Sequence, residues 1–147
     1  MIHVKRILYP TDFSSYSNQA YFHALNLAEA YGASLTVVHV HVPGAPGGRD
    51  HWRNLLEQVR PANPKIAVSH VLLEGDPAAE IVRYAADAGI DVIVIGTHGR
   101  TGVDRPEMGS VAERVMRESA CSVLVVKLPK GVTGAERPIA ATAARRA

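Results

Sequence analysis

The stretch DVIVIGTHGRTG, residues Asp91 to Gly102, decides the fold. Val92 to Ile95 is an unbroken β-branched run, and at Gly96 it passes directly into a polar turn with glycine again at 99 and 102. A strand that is apolar on consecutive positions needs cover on both faces, the condition of a parallel sheet between helical layers. Lys5 to Tyr9 (KRILY), Leu35 to Val40 (LTVVHV), Ile66 to Leu73 (IAVSHVLL) and Ser122 to Val126 (SVLVV) are further short, β-branched runs with turn residues at their ends. Together they predict a five-stranded sheet.

Helical patterns fill the intervals. From Ser15 to Tyr31, Ala20, Ala24, Leu27, Ala28 and Tyr31 recur at helical spacing, and Gly32 stands where a left-handed cap would end the helix. Asp50 to Arg60 sets Leu55, Leu56 and Val59 on one side before Pro61. Asp76-Pro77 joins an N-cap to a proline at the first helical position, and Ile81, Val82 and Ala85 face inward until Gly89. Ser110 to Glu118 offers Val111, Val115 and Met116 as its apolar side. This βαβαβαβαβ order, with right-handed crossovers, predicts an α/β fold: an open, doubly wound five-stranded parallel sheet with helices on both faces. No internal repeat is present, and VPGAPGG (Val42 to Gly48) reads as a flexible loop.

With 147 residues, 47% hydrophobic and 20% charged, the chain has room for one domain. A folded chain of this length buries roughly 68–70% of the surface exposed when unfolded, so neither disulfide nor structural metal is required. Cys121 is the single cysteine. Without a charged-then-apolar leader, it points to a reducing interior such as the cytoplasm. No apolar run approaches the roughly 18 residues of a membrane span. The net charge of +2 is local: residues 128–147 carry Lys130, Arg137, Arg145 and Arg146 against Glu136, which leaves the remainder at −1. The expected working domain is therefore 1–127, followed by a disordered basic tail over 128–147. Aromatics make up 5% and do not interleave with Lys or Arg, so neither nucleic acid nor membrane is an expected partner.

In open α/β sheets, ligands bind beyond the strand carboxyl ends where the strand order reverses. After the first strand comes Pro10-Thr11-Asp12-Phe13-Ser14, which places a carboxylate and hydroxyls beyond the sheet edge. The connection from 97 to 109 after the fourth strand is far longer than the usual loop of about two to six residues. Gly96, Gly99 and Gly102 can bring backbone N–H groups close to an anion, and Gly109, Ser110 and Val111 add those of a helix N-terminus. Arg100 and Arg105 can neutralise charge. The spacing is neither GxxxxGK[ST] nor GxGxxG.

These features together resemble the universal stress protein family, over nearly all of residues 4 to 127. The resemblance runs from KRILYPTDFS through LTVVHV and DVIVIGTHGRTG to GSVAERVM and SVLVVK. Nucleotide-binding members carry G-x2-G-x9-G-[ST], which Gly96, Gly99, Gly109 and Ser110 match residue for residue. The resemblance implies the strand order 3-2-1-4-5 and an ATP-like ligand, ATP or ADP or AMP, with Mg2+ an optional companion held through the phosphates. It puts adenine and ribose near Pro10, Thr11, Asp12 and Val40 and the phosphates on Gly99, Gly109, Ser110 and Val111; Ile95, Gly96 and Arg100 complete the nucleotide-binding set. It also implies a homodimer through Val123, Leu124, Val125 and Val126, an edge strand open to pairing. Pro106-Glu107-Met108 departs from the apolar residues usual before the last glycine, and Glu107 adds negative charge near the expected phosphates.

Blander readings stand beside these. Ser110-x-x-Glu113 is also a capping box, and Asp12 is also a helix cap or turn former. His39, His41 and His70 alternate on neighbouring strands without a carboxylate or cysteine at ligand spacing, so no metal site is expected. His98 is the best-placed general base but lacks an identifiable nucleophile or acid partner, so no catalytic residue is assigned. The sequence thus reads as a cytoplasmic, homodimeric, ATP-binding regulator or sensor of the stress response with a further protein partner. Slow ATP hydrolysis at the same site and a nucleotide-independent interaction module are the alternatives.

Overall fold

The apolar runs pair into one parallel sheet. In the computed structural model, which describes residues 3–97 and 109–127 (Ser15 and Tyr16 by backbone alone), the strands are β1 (Arg6–Pro10), β2 (Ser34–His41), β3 (Val68–Glu74), β4 (Val92–Gly96) and β5 (Ser122–Val126). They stand in the order β3-β2-β1-β4-β5, as expected. Helices α1 (Ser15–Tyr31), α2 (Arg49–Glu57), α3 (Pro77–Asp87) and α4 (Ser110–Glu118) connect them in turn. Leu8 is in register with Thr36 on one side and Ile93 on the other, so β1 is paired along both edges.

Alternation along the strands separates two cores. Ile7, Tyr9, Leu35, Val37 and Val94 pack under Ala20, Ala24 and Ala28 of α1 and Leu56 of α2. The alanine stripe, with no bulk beyond Cβ, lets α1 lie close against the sheet. Leu8, Val38, Ile93 and Ile95 face the other way, against Ile81 and Ala85 of α3 and Ala112 and Val115 of α4. Each fully buried leucine or isoleucine contributes about 1.5–3 kcal/mol.

The caps act as the sequence indicates. Gly32 takes φ 65 and donates its N–H to Ala28, and the Asp76 carboxylate accepts the Ala79 N–H at 2.9 Å ahead of Pro77. Three details differ. Helix α2 stops at Glu57 because Val59 turns inward, its N–H bonded to Leu56 (3.1 Å) and its carbonyl to His70 Nε2 (2.8 Å). Tyr31, expected inside, is 49% exposed at the end of α1, while Tyr21 and Phe22 are buried. Met116 is 48% exposed because Ala112 and Val115 set the inner face of α4, rotated by one residue from the expected stripe.

Asp91, just before β4, ties the sheet's amino end together. Its Oδ2 accepts the N–H groups of Lys5 (2.8 Å) and Arg6 (2.9 Å), and these two bonds hold its pKa below the ordinary carboxylate value. A folded-state pKa below the unfolded one means stability that is present above the unfolded pKa and lost as pH falls through the folded one. Asp91→Asn is therefore expected to cost about 1 kcal/mol in urea unfolding at neutral pH. The gap from the parent chain should close below about pH 4.

Candidate functional site

The strand order reverses between β1 and β4, so the chain leaving β1 turns to one face of the sheet and the chain leaving β4 to the other. Between them opens a cleft of about 480 Å³. Pro10, Thr11 and Asp12 form its floor. Val40 rises on the β2 side, Ile95 and Gly96 on the β4 side, and Gly109, Ser110 and Val111 close the far end. All of these were expected as site residues, and the structure brings them to one cavity. Gly99 and Arg100 lie outside the described residues, as do His98, Arg105, Pro106, Glu107 and the tail over 128–147.

The floor is a tightly bonded turn. Thr11 N–H donates to the Val38 carbonyl at 2.8 Å, and His39 Nδ1 donates to the Thr11 carbonyl at 2.8 Å, which fixes the proton on Nδ1. The Thr11 hydroxyl accepts the Phe13 N–H (3.0 Å) and shares a hydrogen bond with Ser17 (3.1 Å). The Asp12 carboxylate accepts the Ser14 N–H at 3.0 Å. These are successive side-chain turns of the kind Thr and Asp form locally. Ser14 supplies the N-cap of α1, so Asp12 shapes the turn and does not cap the helix. Beneath it, the Tyr9 hydroxyl donates to the Ser17 carbonyl at 2.9 Å, and burial pushes that phenol's pKa far up.

At the far end, Thr97 N–H bonds to the Val126 carbonyl at 3.0 Å, and Gly109 N–H bonds to the Thr97 carbonyl. Gly109 is the N-cap of α4, and among the described residues no side chain caps this terminus. Ser110 is the first helical residue, which overturns its reading as the N-cap of a capping box. Glu113 instead pairs with Arg117 at 3.1 Å. A helix N-terminus without a side-chain cap, facing a cleft, presents N–H groups and the positive end of the helix dipole to an anion.

One wall was not anticipated. Trp52 on α2 is 7% exposed and lines the cleft with His39, His41, Val42 and Ala45. Its ring lies 5.8 Å from Phe13 at 14°, 4.8 Å from His39 and 6.5 Å from His41. The available signal was helical spacing: Trp52 stands four residues before Leu56, on the same face. Gly47 seats the indole, since it takes φ 90 and a Cβ there would lie 2.9 Å from Trp52 Nε1. No cluster of three or more His, Cys, Asp or Glu side chains able to hold a metal occurs among the described residues. At β5, Val123 and Val125 pack against the α3 and α4 core, Val126 is buried, and Leu124 is 37% exposed on the open edge.

A parallel sheet with a cleft of this size at its reversal point defines a doubly wound α/β protein, and in such folds the crevice at the strand carboxyl ends is where ligands are generally found. The model of the universal stress protein family matches residues 3–127, and the chain belongs to that family. It is 36% identical to universal stress protein MJ0531 of Methanocaldococcus jannaschii over 86% of this chain and 84% of that one. The solved structure of MJ0577 matches with a TM-score of 0.71 at 29% identity, covering 88% of this chain and all (100%) of that one. A universal stress protein solved in complex with cAMP matches with a TM-score of 0.67 at 23% identity over 84% and 97% of the two chains. One from Archaeoglobus fulgidus in complex with dAMP gives 0.64 at 22% over 86% and 100%.

The contact between Gly47 and the indole has a measurable consequence. Gly47→Ala should lower stability by about 1–2 kcal/mol, because it meets both a positive φ and the Trp52 ring. It should also shift the emission of Trp52, the only tryptophan of the chain; chemical unfolding followed by fluorescence reads both.

Proposed function

We propose that the chain binds an adenine nucleotide in this cleft and acts as a nucleotide-responsive regulator or sensor in a cytoplasmic stress response. The observation that carries the reading is that one cavity joins the Asp12 turn to the α4 N-terminus. Phosphates belong at Gly109, Ser110 and Val111, where the N–H groups of Ser110 and Val111 and the helix dipole favour negative charge by roughly 0.3–1 kcal/mol, the Gly109 N–H being taken by the Thr97 carbonyl. The base and ribose belong toward Pro10, Thr11, Asp12 and Val40, where apolar walls flank one carboxylate able to accept from a hydroxyl or an amine. Ile95 and Gly96 line the passage between the two ends, and the family's glycine spacing supports Gly99 and Arg100 as further contributors to phosphate binding. The ligands named for two solved relatives, cAMP and dAMP, share adenine and a phosphate, which supports the same division here. ATP, with Mg2+ held through its phosphates, is the nucleotide we assign; ADP and AMP would use the same contacts.

Isothermal titration tests this directly. ATP with magnesium, and AMP, should bind the full chain, and Gly109→Val should weaken both about ten-fold or more. The N-cap conformation of Gly109, φ −64 and ψ 154, accepts valine, so the loss would come from bulk at the anion's approach. No binding of any adenine nucleotide, or unchanged affinity in the variant, would overturn the proposal.

The open edge of β5 supports a homodimer formed by pairing this strand, Val123 to Val126, with that of a second copy. Leu124→Lys places a charge on the paired edge and should convert a dimer into a monomer in sedimentation velocity. A variant that stays dimeric would exclude this edge.

A further inference from the structure

Among the described residues, Phe13 is the one non-glycine residue with positive φ, at 65. A bulky side chain in the left-handed region is an outlier that persists only where its surroundings hold it there. Here the holding contacts are rings: Phe13 stacks on Trp52 of α2 at 5.8 Å and 14° and meets His39 of β2 at 4.7 Å and 45°. The backbone on both sides is committed to the turn. Phe13 donates its own N–H to the Thr11 hydroxyl, and the residue after it reaches back to the Asp12 carboxylate. Asp12 in turn lines the cleft.

We infer that Phe13 is a positioning residue for nucleotide binding: the grip of Trp52 and His39 on its ring holds the turn left-handed and so aims the Asp12 carboxylate at the ligand. Glycine would adopt the same φ at no steric cost, but it would leave the turn free to take other conformations. Phe13 does not itself line the cleft; its ring meets Trp52 and His39, which do, and locks the conformation in. This inference rests on the nucleotide reading above and names a residue through which that site keeps its shape.

The test follows AMP binding by titration and by Trp52 emission in Phe13→Gly, Phe13→Tyr, Asp12→Asn and the double variant F13G/D12N, with circular dichroism confirming the fold. Phe13→Gly should weaken AMP about ten-fold, the size expected for a misaimed charge-assisted hydrogen bond, and should shift Trp52 emission. Phe13→Tyr keeps the ring and should bind as the parent does. Because Phe13 acts through Asp12, the double variant should bind no more weakly than D12N alone. Parent-like affinity in F13G, failure of the tyrosine rescue, or additive losses in the double variant would each overturn the inference. If F13G does not fold, Phe13→Leu, apolar but without a stacking ring, takes its place with the same expectations. Absence of AMP binding by the parent chain would instead strike the nucleotide reading itself.

Discussion

Strand β1 has to be satisfied in four directions at once. Ile7, Leu8 and Tyr9 are fully buried, so side chains must be covered above and below and backbone groups paired left and right. Strands β2 and β4 supply the pairing. The chain therefore leaves β1 in one direction, through α1 and α2 to β2 and β3, and returns through α3 to build β4 and β5 in the other. Because parallel crossovers are right-handed, reversing the direction of travel also reverses the face on which the helices lie. Helices α1 and α2 accordingly share one core and α3 and α4 the other. The loops that leave β1 and β4 part over the carboxyl edge for the same reason, and the cleft is the gap between them.

The two faces are made of different material. The buried residues on the α3 and α4 side are all aliphatic, with Tyr84 at the margin, whereas the buried core on the α1 and α2 side carries rings, with Tyr9 5.4 Å from Tyr21 and Tyr21 5.7 Å from Phe22. Followed toward the carboxyl end, that side continues into Phe13, His39 and Trp52. Thr11, Ser17, Asn18, His39 and Thr97, the buried polar residues among those described, belong to the same end of the sheet or the start of α1. Buried polar groups are costly unless hydrogen-bonded, and the turn bonds of Thr11, Ser17 and His39 meet that demand. Apolar packing thus carries stability through the middle of the sheet, while its carboxyl edge is organised by directional bonds suited to recognition.

What the sequence made legible follows from range. The strands and the capping of α1 and α3 depend on local pattern and turn chemistry, each readable within a short window, whereas the strand order, which no local pattern carries, came through the family resemblance. The Asp12 turn and the Gly109–Val111 helix start could be placed together because the switch-point rule locates strand ends without side-chain detail, and the family resemblance added Pro10, Val40 and Ile95. The aromatic wall could not be found in that way. Trp52 is held at the cleft by its packing on Phe13 and His39, contacts between elements well separated in sequence that helical spacing alone does not reveal. The expected start of α4 at Ser110 holds, and only the alternative of Ser110 as N-cap fails, because a serine three residues before a glutamate reads alike at N-cap and first helical position and the backbone conformation of Gly109 separates the two. Tyr31 and Met116 were misread because apolar spacing fixes a helix face only to within one residue on either side.

The left-handed Phe13 brings both levels together. A bulky residue in that region costs on the order of 1–3 kcal/mol. One stacked ring pair returns about 0.5–1.5 kcal/mol, and each turn hydrogen bond a similar net amount. No single contact therefore holds the turn. The Trp52 and His39 rings and the bonds at Thr11 and Asp12 must act together, which ties the conformation of the β1 turn to the docking of α2. The cleft has, on this account, a generic end and a specific one. At α4 the backbone offers N–H groups as any helix start does, whereas at β1 the position of one carboxylate depends on rings contributed by β2, α2 and the turn itself.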